Sequence, residues 1–394
     1  MNVQAPPMLI GSIPHSFTPR LFIAGPYREG NGAARPRLCF TSTASESAWK
    51  DDLLSNAQSP AIRSEGSRSK SVPPRESNNT LAYSRTQAPP AVRCAWCDHR
   101  FDRTDSYLTG RVRCARCGVA TTSPWPSDKQ LSAAYADWYR PQSGRFSGLG
   151  DKVLRRTRSA LAHRLHRVLP PGPVLDVGAG DGTLVEAFVR RGREAVGLEP
   201  YASGPHIRNA EVEEVDGTWS AVIFWHSLEH LRQPARALSH AAALLSPGGT
   251  LVVAVPNATS LQARAFGDRW LALDLPRHLV HFDPPALLSK IEALGLRVER
   301  VSYLRGGQVV FGWVHGLVGK LPGHPDLYDV IRRSEARQAT YGPVLRLYAL
   351  SAAVVALPFA LAATAVEVAS RAGGTIYIEA RREPGPAGDS HEVA

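Results

Sequence analysis

The sequence predicts an α/β protein built on a doubly wound sheet, with a small cysteine ribbon before it and a polar arm at its amino end. Three observations carry this reading. An apolar run, Val174–Val177, leads into glycines at 178, 180 and 182 and then into helical periodicity from Leu184 to Arg191. Further short apolar runs at 195–198, 221–225 and 250–255 are interleaved with helical or turn-rich stretches. Four of the five cysteines stand in two C-x-x-C pairs, Cys94/Cys97 and Cys114/Cys117.

At 394 residues the chain has room for two or three domains. Its 43% hydrophobic and 21% charged content is ordinary for a soluble globular protein. A net charge of +11 suits anionic partners such as lipid head groups, nucleic acid or phosphorylated substrates, although much of it lies in an arginine-rich arm and on scattered faces. No amino-terminal stretch joins a basic flank to a continuous apolar run, so no signal peptide is expected. The paired cysteines point to metal binding in a reducing compartment, and a cytoplasmic location is expected.

Residues 1–90 are rich in Ser, Pro, Arg, Asn and Gly and cannot bury enough apolar surface to offset ordering entropy. They are expected to form a disordered arm, with Cys39 an unpartnered thiol. Residues 91–124 read as a zinc ribbon. Sixteen residues separate Cys97 from Cys114, and two such knuckles can present four thiolates to one Zn²⁺. The stretch Phe101–Val112 is expected to form its hairpin, and Gly118 the turn after the second pair. Four cysteines leave no open coordination position, so the metal is structural; a redox pair is the lesser alternative. Arg93, Arg100, Arg103, Arg111, Arg113 and Arg116 would suit nucleic acid, but a purely structural ribbon is preferred.

Residues 125–150 form a helix and a linker. Ser127 can cap the helix, whose Leu131, Tyr135 and Trp138 share a face. From Asp151 to Leu169 a basic amphipathic helix aligns Leu154, Leu161, Leu165 and Val168 and leads into the sheet. The glycines at 178, 180 and 182 permit positive φ and close backbone approach to a ligand. Their order is G-x-G-x-G after Asp176, unlike a dinucleotide fingerprint. About twenty residues on, the second strand ends in Glu199, where a carboxylate can grip ribose hydroxyls.

Downstream come Leu228-Glu229-His230-Leu231, Leu245-Ser246-Pro247-Gly248-Gly249 and Val255-Pro256-Asn257. With the glycine turn, this series resembles the class I methyltransferases dependent on S-adenosylmethionine (SAM), in the bacterial group with a CxxC…CxxC zinc ribbon. The resemblance spans roughly residues 94–380. It implies a seven-stranded class I methyltransferase sheet with its last strand antiparallel. It implies S-adenosyl-L-methionine held by Asp176, Gly178, Ala179, Gly180, Gly182, Glu199, Glu213 and His226, and structural Zn²⁺ on Cys94, Cys97, Cys114 and Cys117. The chain departs from the pattern twice. Only Pro200–Asn209 stand where a helix usually precedes the third strand, which is expected at Ala210–Val215. Ser220 stands where the pattern has Asp.

The SAM-binding core is expected over 151–304. Asp283-Pro284-Pro285 opens a helix by capping, Leu296–Val301 is a sixth strand, and Thr375–Ala380, within 373–382, closes the sheet; 383–394 is a disordered tail. Residues 305–372 are an apolar helical insertion, uncharged from Leu347 to Val366. That length matches a membrane span, but a single crossing would part the closing strand from its sheet, and Pro358 is expected to break the segment. A hairpin dipping into one leaflet and an apolar cap over the acceptor site both remain open, the first placing the chain at the inner face of the membrane.

SAM carries an electrophilic methyl group, so an oxygen acceptor needs positioning and removal of its proton. His230, His278 and His281 are the candidates for that removal. Arg277 would hold an acidic or phosphorylated acceptor, or pack on Asp274. Asn257-Ala258 lacks the Pro-Pro-aromatic run of amino-methylating nucleic-acid enzymes, so no nucleic acid is expected. The expected acceptor is an oxygen, with carbon the alternative, on a small metabolite, lipid or glycan precursor. The rival reading is a zinc-ribbon nucleic-acid-binding protein with a vestigial SAM fold.

Overall fold

The computed structural model describes residues 91–136, 149–200, 204–304, 308–331 and 341–383. The expected arm with Cys39, most of the linker, Trp138 and all but the first residue of the tail lie outside them.

The ribbon opens with β1 (Ser106–Leu108), β2 (Arg111–Arg113) and β3 (Ala120–Thr122), paired antiparallel in that order. Helix α1 (Asp128–Ala136) follows; Ser127 Oγ accepts the Gln130 N–H and so caps it. Then come α2 (Leu149–Val168), β4 (Val174–Val177), α3 (Thr183–Val189), β5 (Ala195–Leu198) and β6 (Ile207–Arg208). The third core strand is therefore Ile207–Arg208, upstream of the expected Ala210–Val215. The latter stretch holds a 3₁₀ turn, Val212–Glu214, closed by a reciprocal capping box between Glu211 and Glu214. Local side-chain capping outcompetes strand pairing there.

Next are β7 (Trp219–Trp225), α4 (Pro234–Leu244), β8 (Leu245–Pro256), α5 (Leu261–Phe266), β9 (Val280–His281), α6 (Pro284–Ala293) and β10 (Leu296–Ser302). Asp283 does not cap α6 with its side chain. Its carboxylate faces Arg113 of the ribbon at 3.4 Å instead. The chain ends with α7 (Gln308–Gly319), α8 (Leu327–Ile331), α9 (Pro343–Ala369) and β11 (Thr375–Arg382).

The main sheet has the order β10-β11-β8-β7-β4-β5-β6, with β11 antiparallel to both its neighbours. Alternation along the strands builds two cores. Leu175, Val177, Val222, Phe224, Val253 and Ile378 face one side; Val174, Ala221, Ile223, Val252, Ala254 and Tyr377 face the other, against α2 and α3. Arg164 of α2 reaches the closing strand, donating to Tyr377 Oη at 2.9 Å and pairing with Glu379.

The ribbon shares the first of these cores, for Cys94, Trp96 and Cys114 belong to the same buried cluster as Phe224 and Phe282. Trp96 stands edge-on to Phe282 at 5.2 Å. β9 adds to β3 as the fourth strand of the ribbon's sheet, pairing Ala120 with His281 and Thr121 with Val280. Nothing in the local sequence around Val280 signals that pairing.

Pro358 does not break the apolar segment: α9 runs unbroken through it for 27 residues, about 40 Å. A hairpin within 347–366 is thereby excluded. By length and composition α9 is the one described helix able to cross a membrane. Its end is anchored in protein: the wholly buried Glu367 accepts the Gln262 backbone N–H (3.0 Å), Gln262 Nε2 (2.9 Å) and Trp313 Nε1 (2.8 Å). Its other face, with Val344, Leu347, Val354, Val355 and Phe359, is exposed.

Candidate functional site

The glycine turn sits at the carboxyl end of β4, where open α/β sheets take their ligands. Gly178, Gly180 and Gly182 have φ of 76°, 61° and 72°, values that a Cβ makes costly. The Gly178 and Ala179 amides donate to Leu198 O at the end of β5, at 2.8 and 3.0 Å. Glu199, one residue further, accepts the Gly180 N–H at 3.0 Å. The turn and Glu199 are thus one unit. Ser227, after β7, fills the space beside Gly178: a Cβ there would lie 2.3 Å from that of Ser227.

Asp176 is buried beneath this turn, and its Oδ1 has no hydrogen-bond partner. Burial pushes its carboxyl up to about 7, with Glu199 and Asp181 adding to the rise against the opposing Arg158. A buried carboxylate oxygen without a donor at the carboxyl end of β4 fits an incoming cationic or hydroxyl group. His226 closes the same end with φ 55°, and its Nε2 is likewise buried without a partner. Glu213 lies on the 3₁₀ turn, half-buried.

Ser220 is not an idle replacement. Its hydroxyl donates to Pro173 O at 2.7 Å and accepts from Arg193 at 2.9 Å, tying β7 to the start of β4.

The histidines form a second group beside the turn. His230 and His278 have ring centroids 4.7 Å apart, and His281 lies 6.5 Å beyond His278. His278 Nδ1 is 2.8 Å from Ala272 O, and His230 Nδ1 is 3.0 Å from Arg277 O and 3.1 Å from Tyr135 Oη. His281 Nε2 meets Thr122 Oγ1 at 3.2 Å, within the ribbon–core strand pair. Burial, then His278, carries the His230 ring down to about 4, and the same causes hold His281 well below the usual imidazole range. Both rings are therefore neutral.

Glu229 stands among these rings almost wholly buried, and sequence reasoning did not single it out. Burial alone would raise its carboxyl, but His226, His230 and His278 more than offset this and hold it below the ordinary carboxylate range. Asp274 is likewise held down, Arg277 and His278 outweighing its burial. Arg277 is paired with Asp274, one of the two uses its position suggested. A lone glutamate before a histidine carries no local signal of burial; His226 and His230 are its sequence neighbours, but His278 is brought in from a distant segment.

In the ribbon, Cys94 Sγ and Cys117 Sγ are 3.6 Å apart, and Cys97 Sγ and Cys114 Sγ 3.7 Å. All four sulfurs lie within 4.8 Å of one another, and none forms a disulfide. Thiolates at ~2.3 Å from one tetrahedral Zn²⁺ stand ~3.8 Å apart, so the set fits that ion. Matching knuckle turns hold them: Asp98 N–H donates to Cys94 O at 3.0 Å and Gly118 N–H to Cys114 O at 2.9 Å.

Fold and turn together define an α/β protein of the doubly wound class with its ligand end at β4, β5 and β7. Residues 153–301 match the family described as Methyltransferase domain. Ubiquinone biosynthesis O-methyltransferase of Rhodopseudomonas palustris (strain TIE-1) is 32% identical over 153 residues, 33% of this chain and 60% of that protein. The protein of the same name from Xanthomonas axonopodis pv. citri (strain 306) is 31% identical over 161 residues, 34% of this chain and 67% of its own. The chain thus spans less than two thirds of the first relative's length. Among solved structures, a SAM-dependent methyltransferase from Archaeoglobus fulgidus is 20% identical, covering 59% of this chain and 98% of that one, with a TM-score of 0.36. The 1,6-didemethyltoxoflavin-N1-methyltransferase of Burkholderia thailandensis is 15% identical, covering 71% and 99%, with a TM-score of 0.36. The chain belongs to the methyltransferase family.

Proposed function

We propose that the protein transfers the methyl group of S-adenosyl-L-methionine to an oxygen of a small molecule. The observation that carries this is the closure of Glu199 on the Gly180 amide above the unpartnered Asp176 oxygen, together with the O-methyltransferase relatives. Carbon is the alternative acceptor atom, and the acceptor is a small metabolite, a lipid or a glycan precursor.

Asp176, Gly178, Ala179, Gly180, Gly182, Glu199, Glu213 and His226 would hold the cofactor: backbone amides and the carboxylates of Glu199 and Glu213 along its nucleoside, Asp176 and His226 nearer its charged end. When bound, the cofactor supplies a methyl carbon that is already electrophilic. The chain's own residues would hold the acceptor hydroxyl in line with that methyl carbon, exclude water and take up the proton the hydroxyl loses. That proton handling belongs to the cluster of His230 and His278, with His281 behind them.

The four ribbon cysteines would hold a structural zinc ion. The exposed face of α9 would rest on lipid at the cytoplasmic face of a membrane, while its buried face, with α7, caps the 261–273 segment beside the histidines. Isothermal titration with SAM tests the central reading. Micromolar binding abolished by Gly178→Arg supports it; absence of binding to the wild-type chain, or steeply salt-dependent RNA binding in its place, overturns it. Sedimentation with anionic vesicles, lost on Val355→Asp with Phe359→Asp, tests the lipid contact.

A further inference from the structure

We propose that Thr122, the last residue of β3, is a positioning residue of the methyl-transfer site, through which the ribbon sets the ring of His281 and the backbone of His278. The contact stands on its geometry alone; its use in methyl transfer rests on the function proposed above.

Thr122 is 1% exposed and ends the strand on which the ribbon pairs with the histidine-bearing segment. Its Oγ1 lies 2.6 Å from His278 O and 3.2 Å from His281 Nε2. A hydroxyl has one proton and a carbonyl oxygen only accepts, so that proton goes to His278 O. The Oγ1 lone pairs are then left to His281, and the second contact is a hydrogen bond only with the ring proton on Nε2. His281 is thereby fixed as the Nε2–H tautomer, its lone pair on Nδ1. Burial keeps the ring neutral, so Nδ1 is the nitrogen that can take up a proton.

The segment around these histidines is held from both sides. On the ribbon side Thr122 N–H donates to Leu279 O at 2.9 Å, and Ala120 and Thr121 pair with His281 and Val280. On the core side Leu279 N–H donates to Glu229 O at 2.9 Å and Ala258 N–H to Phe282 O at 3.0 Å, joining it to the loops after β7 and β8. Within its own loop His278 N–H donates to Asp274 O at 3.0 Å, and its Nδ1 is 2.8 Å from Ala272 O. Successive side chains of a strand point to opposite faces, and β3 uses both. Thr121 Oγ1 accepts the Ala95 N–H of the first cysteine knuckle at 3.0 Å, while Thr122 serves the histidines. A threonine that only filled space here could be valine, which has the same shape; the hydroxyl is what meets two buried polar groups.

The test uses the full chain, purified without chelator and carrying isotope-labelled histidine. Ring-nitrogen NMR spectra report which nitrogen holds the proton, and His281→Gln assigns the signal. The wild type is expected to show the His281 proton on Nε2. Thr122→Val, which keeps shape and strand preference but lacks the hydroxyl, should lose that tautomer, and Thr122→Ser should keep it. Transfer of deuterated methyl from labelled SAM into the small molecules of a cell extract should fall ~10–100-fold in Thr122→Val and recover in Thr122→Ser. SAM affinity, read by calorimetry, should be unchanged in both. A wild-type proton on Nδ1, or a tautomer or transfer rate indifferent to Thr122→Val, overturns the proposal. Should Thr122→Val fail to fold, the wild type and Thr122→Ser decide: the Nε2 proton in both supports the contact, and its absence from either refutes it. Failure of the wild type to bind SAM or label any extract component, with the tautomer still following Thr122, would leave the grip on His281 standing and the methyl-transfer reading refuted.

Discussion

Glu199 Oε2 accepts the backbone N–H of Gly180 at 3.0 Å, which ties the end of β5 to the glycine turn after β4. Hydrogen bonds to charged groups are worth about 1.5–3 kcal/mol. Glu199→Ala is therefore expected to weaken SAM binding by ~10–100-fold, read by calorimetry. Glu199→Gln, which keeps an acceptor for Gly180, should recover part of the loss. Equal loss in both would show that the turn does not depend on this contact.

Gly178 tests the same turn from the other side. Its φ of 76° and the 2.3 Å approach of any Cβ to Ser227 leave no room for a side chain. Gly178→Ala is expected to destabilise the fold by ~1–3 kcal/mol. Gly178→Ala combined with Ser227→Gly should regain the steric share only, since the positive φ remains costly.

Asp176 gives the protein a pH dependence of defined sign. Its folded-state carboxyl, raised to about 7 by burial, stays protonated where the unfolded chain has already ionised. Its contribution is complete below the unfolded value near ~4 and is lost as pH rises from there through about 7. Urea unfolding at pH 5 and pH 8 should show Asp176→Asn losing less stability across that interval than the wild type. A parallel loss in the two proteins would contradict the assignment.

Glu367 is the polar anchor of an otherwise apolar helix, accepting three donors from Gln262 and Trp313. Glu367→Ala leaves those neutral donors buried without an acceptor and is expected to cost about 1–3 kcal/mol for each donor stranded. The denaturant midpoint should fall, and limited proteolysis should cut α9 sooner than the sheet.

The zinc ion proposed for the four cysteines gives the fourth stability test. Because Cys94 and Cys114 belong to the core shared with Phe282, chelation should lower the midpoint of the whole domain in one transition. Cys114→Ser should do so without a chelator. A separate early transition confined to the ribbon would count against a shared core.

The β4–turn–α3 unit, the Glu199 strand end and both C-x-x-C knuckles were legible because each is encoded by residues close in sequence. The third strand was misplaced because the apolar content of Ile207–Arg208 is small, while the Val-Glu alternation of 211–215 mimics a strand that the Glu211–Glu214 capping box converts into a turn. Pro358 was expected to break a helix that packing carries through it. The burial of Glu229 and the pairing of β9 with β3 depend on contacts across roughly 50 to 160 residues, to which local pattern is blind.

That borrowed strand has a bearing on how the chain is divisible. The ribbon's fourth strand lies in the segment carrying His278 and His281, so a cut near residue 124 would strip a partner from each fragment. Grafting the ribbon onto another catalytic body, or exchanging it for a different one, would succeed only if residues 278–282 travelled with it. The two parts share one sheet, so the smallest transplantable piece runs from the first cysteine pair through that borrowed strand.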